Sequence, residues 1–213
     1  MDIWPMKRTR VKVCGITSPA DAGLAITAGA DAIGMVFYTK SPRHISISTA
    51  REISSAMPPF VSTVGLFVNS SQQDVSTVLA DVPLGLLQFH GDEDESFCSS
   101  FNRPYIKAVR VKPETNLMQL CSQYASASGI LLDSYKKGIP GGTGEIFDWN
   151  MIPGDLPLPI VLAGGLDASN VAAAVSIVQP WAVDVSSGVE ILPGKKDKQK
   201  IEQFIQAVEG TRQ

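Results

Sequence analysis

Histidine and cysteine are both scarce in this 213-residue chain, with two of the first and three of the second. Two histidines supply no metal constellation, and none is expected. The cysteines at 14, 98 and 121 are odd in number, and their spacing fits neither a zinc site nor a disulfide framework. Such a chain is expected in the reducing cytoplasm. Basic clusters are also missing. At a net charge of -3, the chain shows no footprint for nucleic acid and no polybasic helix for a membrane surface. The opening MDIWPMKRTR lacks an apolar signal core, and no apolar run approaches membrane-spanning length. Residues 1–9 read as an N-terminal extension, of which 1–5 are expected to be dispensable, since Met6 before Lys-Arg-Thr-Arg would itself make a start. No linker or shift in composition divides residues 10–213, which read as one domain.

What the chain has is a series of apolar, β-branched runs. VKVCGI begins at 11, AIGMVFY at 32, STVGLFV at 62 and LGLLQFH at 84, followed by YIKAVRV at 105, GILLDS at 129, PIVLAG at 159 and AVDVSS at 182. Their starts lie about 24 positions apart on average, the length of a strand plus one crossover helix. The runs are near-continuous rather than alternating, as strands buried on both faces should be. Helical spacing appears between them, at Val75, Val78, Leu79 and Val82, at Leu117, Leu120, Cys121 and Tyr124, and at Ile201, Phe204, Ile205 and Val208. Ser18 before Pro19 predicts a helix start, the Ser70 to Gln73 spacing predicts a capping box, and Asp167 is expected to cap a helix from Ala168. Between 135 and 158 there is room for only a short helix around 147–152. Eight strands alternating with helices permit a doubly wound α/β sheet or a closed (β/α)₈ TIM barrel with short loops, and the count of eight favours the barrel.

In either architecture the chemistry belongs at the carboxyl ends of the strands. Those ends carry Cys14-Gly15, then Arg43 and His44 after the second strand, Gln88 and His90, Arg110, Asp133, Gly164-Gly165, and Asp184 to Gly188. Asp133 follows Gly-Ile-Leu-Leu directly. It reads either as a carboxylate bonded to loop amides or as an acid whose pKa is lifted from about 4 by partial desolvation, so that it can donate a proton. Cys14 reads either as a small buried hydrophobe or as a base that must lose its proton near neutrality, from an ordinary value of about 8.5. Cys98 and Cys121 fall on predicted helices and read as structural. His90 is a structural histidine or a substrate contact, and Arg43 a solvated loop cation or an anchor for a carboxylate. Three glycine-rich patches, Gly141 to Gly144, Gly164-Gly165 and Ser186 to Gly188, follow the sixth, seventh and eighth strands. Backbone amides at such loops, with a short extra helix such as 186–190 can supply, cradle a phosphate in many barrels.

Several strings together then resemble one family. They are KVCGIT at 12–17, SPR at 41–43, QFHG at 88–91, LLD at 131–133, GGTGEIFDW at 141–149, LAGGL at 162–166, and DVSSGVE with PGKKD at 184–197. In this order, over nearly the whole chain from about residue 10, they resemble phosphoribosylanthranilate isomerase. Phe89 departs from the pattern, standing where leucine is expected, and should point into the core. The resemblance implies a cofactor-free Amadori rearrangement of N-(5-phosphoribosyl)anthranilate to 1-(o-carboxyphenylamino)-1-deoxyribulose 5-phosphate in tryptophan biosynthesis. It implies Cys14 as general base and Asp133 as general acid. The phosphate would lie on amides of Gly142, Gly144, Gly164, Gly165, Ser187 and Gly188. Arg43 would meet the anthranilate carboxylate, with Gln88 and His90 lining the pocket. The expected partner is a small phosphosugar, in a monomer or homodimer. Two other readings stay open. One is a histidine-pathway aminoaldose-ketose isomerase of the same fold, whose two aspartates do not match the cysteine at 14. The other is a barrel that binds a phosphosugar without turning it over.

Overall fold

The computed structural model describes residues 8–112, 114–134 and 148–211. Eight parallel strands close into a ring in chain order: β1 (Arg10–Cys14), β2 (Ala32–Val36), β3 (Ser62–Phe67), β4 (Leu86–Phe89), β5 (Tyr105–Val111), β6 (Gly129–Ser134), β7 (Ile160–Leu162) and β8 (Ala182–Val185). The ring shuts where β1 pairs with β8, with Lys12 opposite Asp184 and Val13 opposite Val185. Around it run α1 (Pro19–Ala28), α2 (Ile47–Ser55), α3 (Gln72–Asp81), α4 (Glu95–Ser99), α5 (Leu117–Gln123), α6 (Val171–Val178) and α7 (Lys198–Glu209). Short 3₁₀ turns occupy Trp149–Met151 and Ser187–Val189. This is the expected (β/α)₈ barrel, with every expected strand in place. Among the described residues, no helix is long and apolar enough to cross a membrane.

Helix starts follow local chemistry. Ser18 Oγ accepts from the Asp21 amide at 3.1 Å, with Pro19 in the first turn, where its missing N–H costs nothing. At α3 the cap is Ser71, one residue later than the spacing of Ser70 and Gln73 predicts. Ser71 Oγ accepts from the Asp74 amide at 3.1 Å and returns a bond to the Asp74 carboxylate at 2.7 Å, while Gln73 reaches along the helix to Thr77. Asp167 does not start a helix at Ala168. Its carboxylate accepts from the Ser169 amide at 2.7 Å in a local turn, which delays α6 to Val171.

Alternation along the strands sorts side chains into two cores. The outer faces pack against the helices in one large cluster, where Phe89 is fully buried among Phe67, Phe97, Phe101 and Tyr105. Inside the ring, Ile106, Ala108, Leu131, Val161, Ala163 and Ala182 form an apolar cluster, and Cys14 packs with Val36 and Leu66. Lys12, Gln88, Asp133 and Asp184 are buried too, and alternation sets each on the inward face of its strand.

A hairpin after β8, β9 (Glu190–Leu192) with β10 (Lys195–Lys196), fastens the mouth of the ring. Lys196 Nζ donates to the carbonyls of Cys14 (2.6 Å) and Ser186 (3.1 Å) and to Glu190 Oε1 (2.8 Å). Glu190 also receives Arg43 in a two-pronged pair, Nε at 2.8 Å and Nη2 at 2.7 Å. Burial alone would raise the Glu190 carboxyl, but the Arg43 hydrogen bonds and the Lys196 charge outweigh it and hold the group below its ordinary 4.5. A carboxyl held low adds stability that is present above its unfolded pKa and is lost as pH falls through the folded one. Glu190→Gln leaves the Lys196 ammonium buried without its counter-charge, and is expected to cost about 3 kcal/mol at pH 7 by urea unfolding. Below pH 4.5 the wild type should lose stability more steeply than this variant; equal slopes would remove Glu190 from the acid response.

Candidate active site

A cleft of about 1090 Å³ opens over the carboxyl ends of the strands. Cys14 enters it from the end of β1, and Asp133 from the end of β6, on the far side of the ring. Both are 5% exposed, so their polar atoms meet the cleft rather than bulk water. Burial holds the Cys14 thiol above its ordinary value, and the nearby Lys12 ammonium pulls it down without cancelling that rise. Asp184 adds to the rise, and Lys196 opposes it.

Asp133 has a partner that strand-by-strand reading does not reveal. His90 Nε2 lies 3.2 Å from Asp133 Oδ2, and the Gln88 amide nitrogen lies 3.3 Å from His90 Nδ1. If the Gln88 amide donates to Nδ1, the imidazole carries its proton on Nε2, and that N–H points at the carboxylate. Gln88 itself is fully buried, and its Oε1 has no hydrogen-bond partner among the described residues. Gln88, His90 and Asp133 therefore form a row along one wall of the cleft.

Arg43 also lines the cleft, but two of its three guanidinium nitrogens are engaged by Glu190, and its stem lies beside Gly15. This tie is long-range in sequence, and neither residue type signals it. Gly164 and Gly165 both adopt left-handed backbone, φ 85° and 65°, a turn that side chains resist. Those two glycines and Ser187 line the cleft. The amides of Gly164, Gly165, Ser187 and Gly188 donate to no main-chain carbonyl among the described residues. Gly188 has a second reason to be glycine, since a Cβ there would collide with the Leu166 carbonyl oxygen. Gly142 and Gly144 lie outside the described residues. No group of three or more His, Cys, Asp or Glu able to hold a metal occurs among the described residues.

The site is thus a base candidate and an acid candidate on opposite sides of one cleft, with an amide-rich rim at the ends of β7 and β8. Named proteins resemble this chain in sequence and fold. The family model described as N-(5'phosphoribosyl)anthranilate (PRA) isomerase matches residues 11–207. N-(5'-phosphoribosyl)anthranilate isomerase of Pseudomonas fluorescens (strain Pf0-1) is 57% identical over 203 residues, spanning 95% of this chain and 100% of that protein. The crystal structure of phosphoribosyl anthranilate isomerase from Thermotoga maritima superposes with a TM-score of 0.88 at 43% identity, covering 95% of this chain and 99% of that one. A phosphoribosyl anthranilate isomerase in complex with reduced 1-(o-carboxyphenylamino)-1-deoxyribulose 5-phosphate matches with a TM-score of 0.85 at 42% identity, over 95% and 99% of the two chains. With both the sequence and the fold matching over nearly the whole chain, this chain belongs to the N-(5'-phosphoribosyl)anthranilate isomerase family.

Proposed function

We propose that this chain converts N-(5-phosphoribosyl)anthranilate to 1-(o-carboxyphenylamino)-1-deoxyribulose 5-phosphate in tryptophan biosynthesis, with Asp133 as general acid and Cys14 as general base. The observation that carries the residue assignment is their placement at the ends of β6 and β1, facing one cleft from opposite sides. A proton can then be delivered to one part of the sugar while another is taken from a second part.

Asp133 gives its proton to the furanose ring oxygen; the C1′–O bond breaks, and the nitrogen lone pair forms an iminium. The His90 contact occupies Oδ2, so Oδ1 is the oxygen left to face the sugar. The iminium acidifies the C2′ proton. Cys14 as thiolate takes that proton, the electron pair closes an enolamine, and tautomerisation yields the ketone. Each general acid or base step is typically worth about 10²–10⁴-fold. The phosphate sits on the rim amides of Gly164, Gly165, Ser187 and Gly188. The free edge of Arg43 meets the anthranilate carboxylate, and Gln88 and His90 line the wall between.

Cys14→Ala and Asp133→Asn are each expected to lower kcat by at least about 10², with a wild-type circular dichroism spectrum. Near-normal turnover by either folded variant would take that residue out of the mechanism. Arg43→Ala should raise KM for the anthranilate-bearing substrate more than it lowers kcat; an unchanged KM would reject the carboxylate role. Rescue of a tryptophan auxotroph lacking this isomerase tests the activity as a whole, and failure to rescue would overturn it.

A further inference from the structure

Inside the ring, next to Cys14, sits a buried ion pair that neither proton transfer uses. Lys12 and Asp184 are cross-strand partners on β1 and β8. Lys12 Nζ donates to Asp184 Oδ1 at 2.8 Å, with the two side chains only 6% and 9% exposed. Such a pair contributes little to stability, because stripping water from two charges offsets most of their attraction, and well-packed apolar residues would serve as well. Its position supplies another reason for it.

On the opposite side of β1, Cys14 pairs laterally with Gly34 of β2. A Cβ on Gly34 would stand 2.8 Å from Cys14 Sγ and 2.9 Å from Lys12 Nζ. The sulfur and the ammonium thus both border the one point that a side chain at 34 would fill, and a residue without a side chain leaves that space between the strands open. We propose that Lys12, oriented by Asp184, is a positioning residue whose ammonium is the counter-charge of the Cys14 thiolate. The inference rests on Cys14 being the base, and it names what keeps that base ionisable in a buried setting.

Other charged groups face Cys14 from several elements. Lys196 approaches from β10, Arg43 from the segment after β2, where its stem lies beside Gly15, and Asp184 from β8. His90 and Asp133 stand on the same cleft. Among the cations, Lys196 spends three hydrogen bonds on Cys14 O, Ser186 O and Glu190, and Arg43 spends two on Glu190. Among the described residues, Lys12 Nζ donates one hydrogen bond, to Asp184, out of the three N–H groups an ammonium carries. Burial alone would lower the Lys12 pKa, but Asp184 and the Cys14 sulfur outweigh it and hold the ammonium above its ordinary range. It therefore stays charged at neutral pH. Of the forces acting on the thiol, Lys12 is the largest that opposes burial.

The test follows the thiol directly. Iodoacetamide alkylation of Cys14, read by mass spectrometry of its peptide across pH, gives the midpoint of thiolate formation. In Lys12→Met that midpoint is expected to rise by about one unit, slowing alkylation at pH 7 about tenfold. Lys12→Met strands Asp184 as a buried charge, so Lys12→Met/Asp184→Asn is the companion variant, with neither charge left. It is expected to slow alkylation at least about threefold, less than the single change because the repulsion from Asp184 is also gone. An unchanged midpoint in the folded double variant would overturn the proposal and leave the pair structural. This measurement requires no turnover, so it separates failure of the Lys12 role from failure of Cys14 as base, which the Cys14→Ala kinetics read.

Discussion

A parallel barrel has no free edge only if its first strand pairs with its last, and here that closure is also what builds the site. β1 meets β8 in a register that sets Lys12 against Asp184, and on its other side β1 meets β2 so that Cys14 stands against Gly34. Lys12, Asp184 and Cys14 thereby share the inward face, and Cys14 and Asp184 line the cleft. A slip of one residue would turn Lys12 and Cys14 outward into the helix layer, where an ammonium and a reactive thiol have no use. The closure register therefore decides both whether the ring shuts and what its mouth can do.

The second anchor is Glu190. It lies in the hairpin after β8, yet it ties together Arg43 from the segment after β2 and Lys196, which in turn holds the carbonyls of Cys14 and Ser186. The ends of β1 and β8 are thus pinned by one buried ammonium, and the Arg43 guanidinium is presented to the cleft along a fixed edge. Charges sealed this far from water are costly unless each finds a partner. In this network each does, whereas the row of Gln88, His90 and Asp133 leaves the buried Gln88 Oε1 without a partner among the described residues.

Much of the architecture was legible in the chain. Eight apolar runs at barrel spacing, helical stripes such as Ile201, Phe204, Ile205 and Val208, and the Ser18-Pro19 start all report forces that act over a few residues. The strand-end positions of Cys14 and Asp133 followed from the same runs, since a strand that stops at a polar residue displays it. Local competition shifted some boundaries. Ser71 outbid Ser70 because Asp74 returns its hydrogen bond, and Asp167 closed a turn instead of opening a helix.

The contacts among site residues were a different matter. Lys12 lies 172 residues from Asp184, Arg43 147 from Glu190, and Asp133 falls on a different strand from His90. Alternation along β1 does put Lys12 on the face of Cys14, but nothing within β1 says which carboxylate stands beside it or that β2 offers a glycine at that height. By itself the sequence determined the strands, the face each side chain takes, and which polar groups reach the mouth, because backbone sterics and hydrophobic burial are written locally. Only the closed ring decided which charges are neighbours, because a pairing between the first strand and the eighth exists only once all eight have joined.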